Sequence, residues 1–148
     1  MHITKVPVKV TIRIEAATSK VWQYLTVPEF MEQWMGEPEM HVNVHTDWKV
    51  SHPIRIAGFH HVAFVNTGTV LQFGREKAIR YTHLSSLSRL ANRPENHSVI
   101  GFKLLPNEGQ TDLAVTVTNF PTEAIYRHLA FYWRSTVPLL KRIIEQGG

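Results

Sequence analysis

The sequence predicts an α+β fold in which a curved antiparallel sheet of seven strands wraps around one long C-terminal helix. Three observations predict it. Apolar and polar residues alternate with period two almost throughout residues 40–119, the signature of half-buried strands. The links between these segments are short and rich in turn residues, which makes neighbouring strands antiparallel. After Pro121 the apolar spacing becomes helical, and this last segment alone is long enough to cover the apolar face of such a sheet.

The first strand is expected over residues 8–14, where Val8, Val10, Ile12 and Ile14 alternate with Lys9, Thr11 and Arg13. Thr18 or Ser19 then caps a short helix whose Val21, Trp22 and Leu25 share a face. Thr26-Val27-Pro28-Glu29 reads as a capping box with proline in the first turn. It opens a second short helix that buries Val27, Phe30, Met31 and Trp34 and stops at Gly36. Six strands follow, over residues 40–45, 50–57, 63–73, 78–84, 98–105 and 111–119. Gly58, the run Gly74-Arg75-Glu76-Lys77 and the run Pro106-Asn107-Glu108-Gly109 supply turns. Residues 85–97, with Leu87, Leu90 and Pro94, read as an ordered loop or helical turn.

In the terminal helix, Ile125, Leu129, Tyr132, Trp133, Thr136, Leu139, Leu140 and Ile143 follow one stripe. Arg127, Arg134, Lys141, Arg142 and Glu145 fall elsewhere. Pro138 lies on the outward side, where a lost backbone hydrogen bond bends a helix without breaking it. Phe131 shares that outward side and suggests a weak homodimer patch.

A chain of 148 residues fits a single domain over 1–148 with a substantial core. Cysteine is absent, which excludes disulfides, thiolate metal sites and a cysteine nucleophile. The formal charge of +4 is spread singly along the chain, unlike the clustered footprint of nucleic-acid binders, so no nucleic-acid partner is expected. The N-terminus has no continuous apolar run of about 7–15 residues, as a signal peptide requires. No window reaches the ~20 apolar residues of a membrane helix. A cytoplasmic protein without membrane insertion is the expectation.

Phosphate loops, serine elbows and dinucleotide fingerprints are missing, so no cofactor is expected. No metal is expected either. Strand parity sends His41 and His45 outward, about 13 Å apart at ~3.3 Å per residue, and His60-His61 is expected in an exposed turn.

Residues 10–16, the run Val21-Trp22-Gln23-Tyr24-Leu25-Thr26-Val27-Pro28-Glu29 and Trp34 resemble the opening of START-like domains related to the activator of heat-shock-protein ATPase. Gly68-Thr69-Val70-Leu71, Ile79-Arg80-Tyr81-Thr82-His83, Pro94-Glu95-Asn96, Gln110-Thr111-Asp112-Leu113 and Phe131-Tyr132-Trp133 through Leu140-Lys141 are similar to that family's remaining signatures. The resemblance runs nearly end to end and implies the helix-grip fold of the birch-pollen-allergen (SRPBCC) superfamily. That superfamily includes lipid carriers, polyketide cyclases and dehydratases, and chaperone partners.

A sheet curved around a helix leaves a space between them. Ile79, Tyr81 and His83 share a face, which the resemblance makes the inner one; His83 stands where relatives often carry a bulky aromatic. Ile100, Phe102 and Leu104, then Leu113, Val115 and Val117, supply apolar walls. Leu129, Tyr132 and Trp133 approach from the helix, and Trp34 completes the expected pocket. Apolar walls with a few polar tips suit a small molecule.

The expected function is binding of a hydrophobic or aromatic small molecule, lipid-like or polyketide-like. Tyr81 and His83 bonding each other or a water in a filled core is the plainer alternative. A cyclase, dehydratase or hydrolase is the next, with His83 as best catalytic candidate because its ordinary pKa of about 6.5 lies near neutrality. No carboxylate stands beside it by parity: Glu15 and Asp47 sit at strand ends and Asp112 alternates outward. A chaperone-associated interaction module, implied by the resemblance, comes last.

Overall fold

The computed structural model describes residues 6–147; the first five residues of the alternating N-terminal segment, and Gly148, lie outside the described residues. Seven strands form one antiparallel sheet: β1 (Val8–Ile14), β2 (Asn43–Thr46), β3 (Pro53–His60), β4 (Val62–Gly74), β5 (Ala78–Ser85), β6 (Ser98–Asn107) and β7 (Gln110–Thr118). Their order across the sheet is β1-β7-β6-β5-β4-β3-β2, so the first strand crosses to pair with the last, Val8 opposite Val117 and Ile14 opposite Thr111. Helices α1 (Thr18–Thr26) and α2 (Pro28–Met31) separate β1 from β2, and α3 (Glu123–Gln146) ends the chain. This is the helix-grip arrangement.

Local chemistry shifts several expected boundaries. The N-cap of α1 is Ala17, without a side-chain cap, and Thr18 lies in the first turn, with its hydroxyl 3.3 Å from that of Thr111. No capping box forms. Thr26 stays helical and its hydroxyl donates back to Trp22 O at 2.8 Å, so α2 begins behind Val27 as a single turn. Residues Pro38–Met40 form a 3-10 turn and His41 takes a left-handed conformation (φ 48°), which delays β2 to Asn43. Trp48 and Ser51 also have positive φ, in a turn where Asp47 Oδ1 accepts from Lys49 N at 2.9 Å, so β3 starts at Pro53 rather than at residue 50.

Gly58 is not the turn. β3 continues through it to His60, and the chain reverses at His61 (φ 64°). A Cβ at Gly58 would stand 2.7 Å from the tip of the Phe64 ring on β4, so the glycine makes room for that ring. Residues 85–97 are ordered through two 3-10 turns, Ser86–Ser88 and Pro94–Asn96.

The longest strand, β4, shifts register against β5 between Val70 and Gln72, a bulge that bends it. At Gly68 the strands come so close that a Cβ would fall 1.7 Å from Thr82 O. Opposite the sheet, Thr122 caps α3 by accepting from Ile125 N at 3.1 Å. Leu129, Trp133, Val137, Leu140 and Ile144 form its buried stripe, and the helix runs on through exposed Pro138. Its C-terminal half is tied to β1: Lys141 Nζ donates to Arg13 O at 2.8 Å, and Glu145 Oε2 accepts from Glu15 N at 2.7 Å. The N-terminal half of α3 faces β4 and β5 instead, and there a space opens.

Candidate functional site

A cavity of about 190 Å³ lies between the sheet and the N-terminal half of α3. The sheet contributes Ile56, Phe64, Asn66, Tyr81, His83 and Ile100; α3 contributes His128, Leu129, Tyr132 and Trp133. Met35, Met40 and Val42, from the segment after α2, close one side, with His60 and Leu87 beside them. Strand parity puts Tyr81 and His83 on the same inner face of β5, two residues apart. The Tyr81 ring stacks near Phe102 (centroids 6.3 Å) and meets Trp48 edge-on (6.1 Å). A smaller recess of about 40 Å³ continues past His83 toward Ser98 and Ile125.

The polar groups differ in how they are satisfied. Tyr132 donates to Met35 O at 2.7 Å, locking α3 to the segment that closes the cavity. Its hydroxyl also pairs with Thr136, and burial pushes its pKa far up. Tyr81 is 2 % exposed, and its hydroxyl has no hydrogen-bond partner among the described residues; burial, then the nearby Tyr132, hold it protonated. His83 likewise has no hydrogen bond. Burial first, then the neighbouring His128 and His97, lower its pKa to about 4, so it is neutral at pH 7. Trp133 Nε1 is buried without a partner, whereas Trp34 Nε1 donates to Tyr24 O at 2.8 Å and Trp48 Nε1 to Thr26 O at 2.6 Å.

Of the side chains that parity and helical spacing select, the structure brings Tyr81, His83, Ile100, Leu129, Tyr132 and Trp133 to the cavity wall. Trp34, Phe102, Val115 and Val117 do not reach it; they are buried in the solid core alongside, where Trp133 touches Trp34 (6.2 Å) and Phe102 (5.6 Å). Tyr81 and His83 do not bond each other. Sequence reasoning missed, among others, Met35, Ile56, Phe64, Asn66, Leu87 and His128. The helical offset from His128 to Tyr132, whose rings lie 6.5 Å apart, was the available signal for the last of these.

Chemically, the wall offers neutral donors on an apolar background. No Asp, Glu, Lys or Arg lines it, and no carboxylate orients His83. Among the described residues no group of three or more His, Asp or Glu is placed to hold a metal ion. His60 and His61 lie ring to ring at 4.6 Å at the hairpin tip. A larger groove of about 580 Å³ crosses the outer side of β1, β7 and β6, but it is open and spanned by the exposed Arg13–Asp112 ion pair at 2.8 Å. No described helix is long and apolar enough to cross a membrane.

Comparison with known proteins places this architecture. Residues 15–145 match the family model described as activator of Hsp90 ATPase homolog 1-like protein. The solution structure of ChR145 from Cytophaga hutchinsonii is 28% identical, with a TM-score of 0.79 over 98% of this chain and 97% of that one. The Aha1 dimer from Colwellia psychrerythraea is 22% identical (TM-score 0.74; 95% and 97% covered). DynU16, a protein of the dynemicin biosynthetic locus, is 17% identical (TM-score 0.75), matching 97% of this chain and 48% of its own length. No curated protein matches.

Proposed function

The chain belongs to the activator of Hsp90 ATPase homolog 1-like family, and from that premise we propose that it is a single ligand-binding module of 148 residues that holds a hydrophobic or aromatic small molecule between sheet and α3. The observation that carries this reading is the 190 Å³ cavity itself, walled by apolar and aromatic side chains with a few polar groups. A tightly packed core leaves few voids larger than a water molecule. A space of this size where α3 stands off the sheet reads as a binding volume.

Filling it tests the proposal. Ile100→Trp projects a larger side chain into the cavity. A panel of monocyclic aromatic compounds is expected to change intrinsic tryptophan fluorescence and raise Tm in the parent, and to do neither in the folded variant. Equal responses in both, or none in the parent, would overturn the reading.

A catalytic reading has one observation in its favour: His83 is a neutral base facing the cavity. Without an orienting carboxylate it ranks second, and turnover surviving His83→Ala on an identified substrate would remove it. The proposal includes a cytoplasmic setting and a weak homodimer through the outer side of α3, where Phe131 is 74 % exposed; the Colwellia relative is described as a dimer. The chaperone role in the family name ranks behind the small-molecule reading, which has the cavity to support it.

A further inference from the structure

Two polar side chains, the buried Tyr81 and the half-buried His83, separate this cavity from a merely unfilled core. Several interior polar groups are satisfied, since Tyr132, Trp34, Trp48 and Thr26 all donate to backbone carbonyls, while His97 Nδ1 is a buried atom left unpaired. Tyr81 and His83, side by side on β5 and both on the cavity wall, have no such partner. Trp133 Nε1 adds a third unpaired group on the same wall. Native proteins rarely leave buried donors unpaired, and clustered exceptions point to a ligand that completes them.

The donor count fixes the polarity of that ligand. Among Tyr81, His83 and Trp133, a tyrosine that keeps its proton donates one hydrogen bond and accepts one, a neutral imidazole donates one and accepts one, and an indole only donates. Donors are therefore in excess. A carbonyl oxygen, which accepts two hydrogen bonds, takes the Tyr81 and His83 donors at once.

Charge narrows it further. No Asp, Glu, Lys or Arg lines the wall, so a carboxylate or ammonium would lose its hydration and gain no counter-ion. Size completes the argument. At about 190 Å³ the cavity exceeds the ~150 Å³ that holds benzene and falls short of the roughly 300–1,000 Å³ of drug-sized pockets. One ring with a short substituent fills it. The Phe64, Tyr132 and Trp133 rings and the Met35 and Met40 thioethers favour an aromatic ring over an alkyl chain.

We infer that the cavity takes an uncharged single-ring aryl ketone or aldehyde, with its carbonyl oxygen held by the Tyr81 hydroxyl and the His83 imidazole. This rests on the ligand-binding reading and adds to it a chemical class and two recognition residues.

Acetophenone, its near-isostere α-methylstyrene, which lacks the acceptor, and benzoate, which adds a charge, test it by tryptophan fluorescence titration and calorimetry at pH 7.5. Acetophenone is expected to bind about tenfold more tightly than α-methylstyrene, the worth of one hydrogen bond completing a buried donor. Benzoate is expected to show no saturable binding. Tyr81→Phe, which keeps ring and volume, should erase most of the ketone's advantage and leave α-methylstyrene unchanged; His83→Gln, which keeps a donor, should retain part of it. Equal affinity for acetophenone and α-methylstyrene, or binding of benzoate at least as tight as acetophenone, overturns this inference and leaves the ligand-binding reading standing. No binding of any of the three overturns both.

Discussion

The space between sheet and α3 has two ends made from the same kinds of residue, and they behave oppositely. Toward the C-terminus of α3, Trp34, Phe102, Val115, Val117 and Leu140 pack solidly, and Trp34 spends its N–H on Tyr24 O. Toward the N-terminus, Tyr81, His83 and Trp133 border a cavity and keep unpaired polar groups. The helix explains the difference. One half is tied to β1 through Lys141 and Glu145, while the other stands off and is braced by Tyr132 on Met35 O. On the proposed reading, stability resides mainly at the packed end and recognition at the open one.

The largest test of that division is Trp34→Ala. Removing this 1 % exposed side chain should cost about 3–5 kcal/mol in a denaturant melt. A loss below 1 kcal/mol would mean that the packed end is not where the fold is anchored.

His83 gives the next effect. Its pKa is about 4 in the folded chain against an ordinary 6.5, so the unfolded chain takes up the proton first. Stability that is complete above about pH 6.5 is lost as pH falls toward 4, by about 3 kcal/mol from this residue. His97, itself lowered by burial, steepens the same loss. His83→Gln should make the acid loss shallower than in the parent, and identical pH profiles would show the imidazole to be solvated.

The two tyrosines form a matched pair. Tyr132→Phe strands Met35 O and should cost about 1–3 kcal/mol, whereas Tyr81→Phe removes an unpartnered hydroxyl and should change stability by less than about 0.5 kcal/mol. Equal losses in chemical melts would erase the contrast. Smallest is Phe131→Glu on the solvent side of α3, which should leave stability unchanged and abolish self-association in equilibrium sedimentation. A parent monomeric at high concentration would dismiss that patch.

Strand parity made much of this legible. Alternation puts Ile79, Tyr81 and His83 on one face, and the family resemblance identifies it as the inner one. Parity gives the face of a strand, however, and not the distance to the helix above it, so Phe102 and Val115 carry the same signal as Ile100 and yet stand in solid core. Local motifs failed where tertiary contacts competed with them. Thr26 suits a capping box but bonds Trp22 O, and Gly58 suits a turn but accommodates the ring of Phe64. The Tyr132–Met35 brace joins residues 97 apart and has no local signature.

Gly68 touches no ligand wall, yet with the neighbouring bulge it bends β4 over the space, because no side chain fits between it and Thr82 O. If the cavity is used as proposed, its capacity is decided on one strand, and what it grips on the next. Divergent relatives built on this plan can resize their interior by moving that bend, with Tyr81 and His83 untouched, or exchange those two residues at constant capacity. Selectivity has two independent dials.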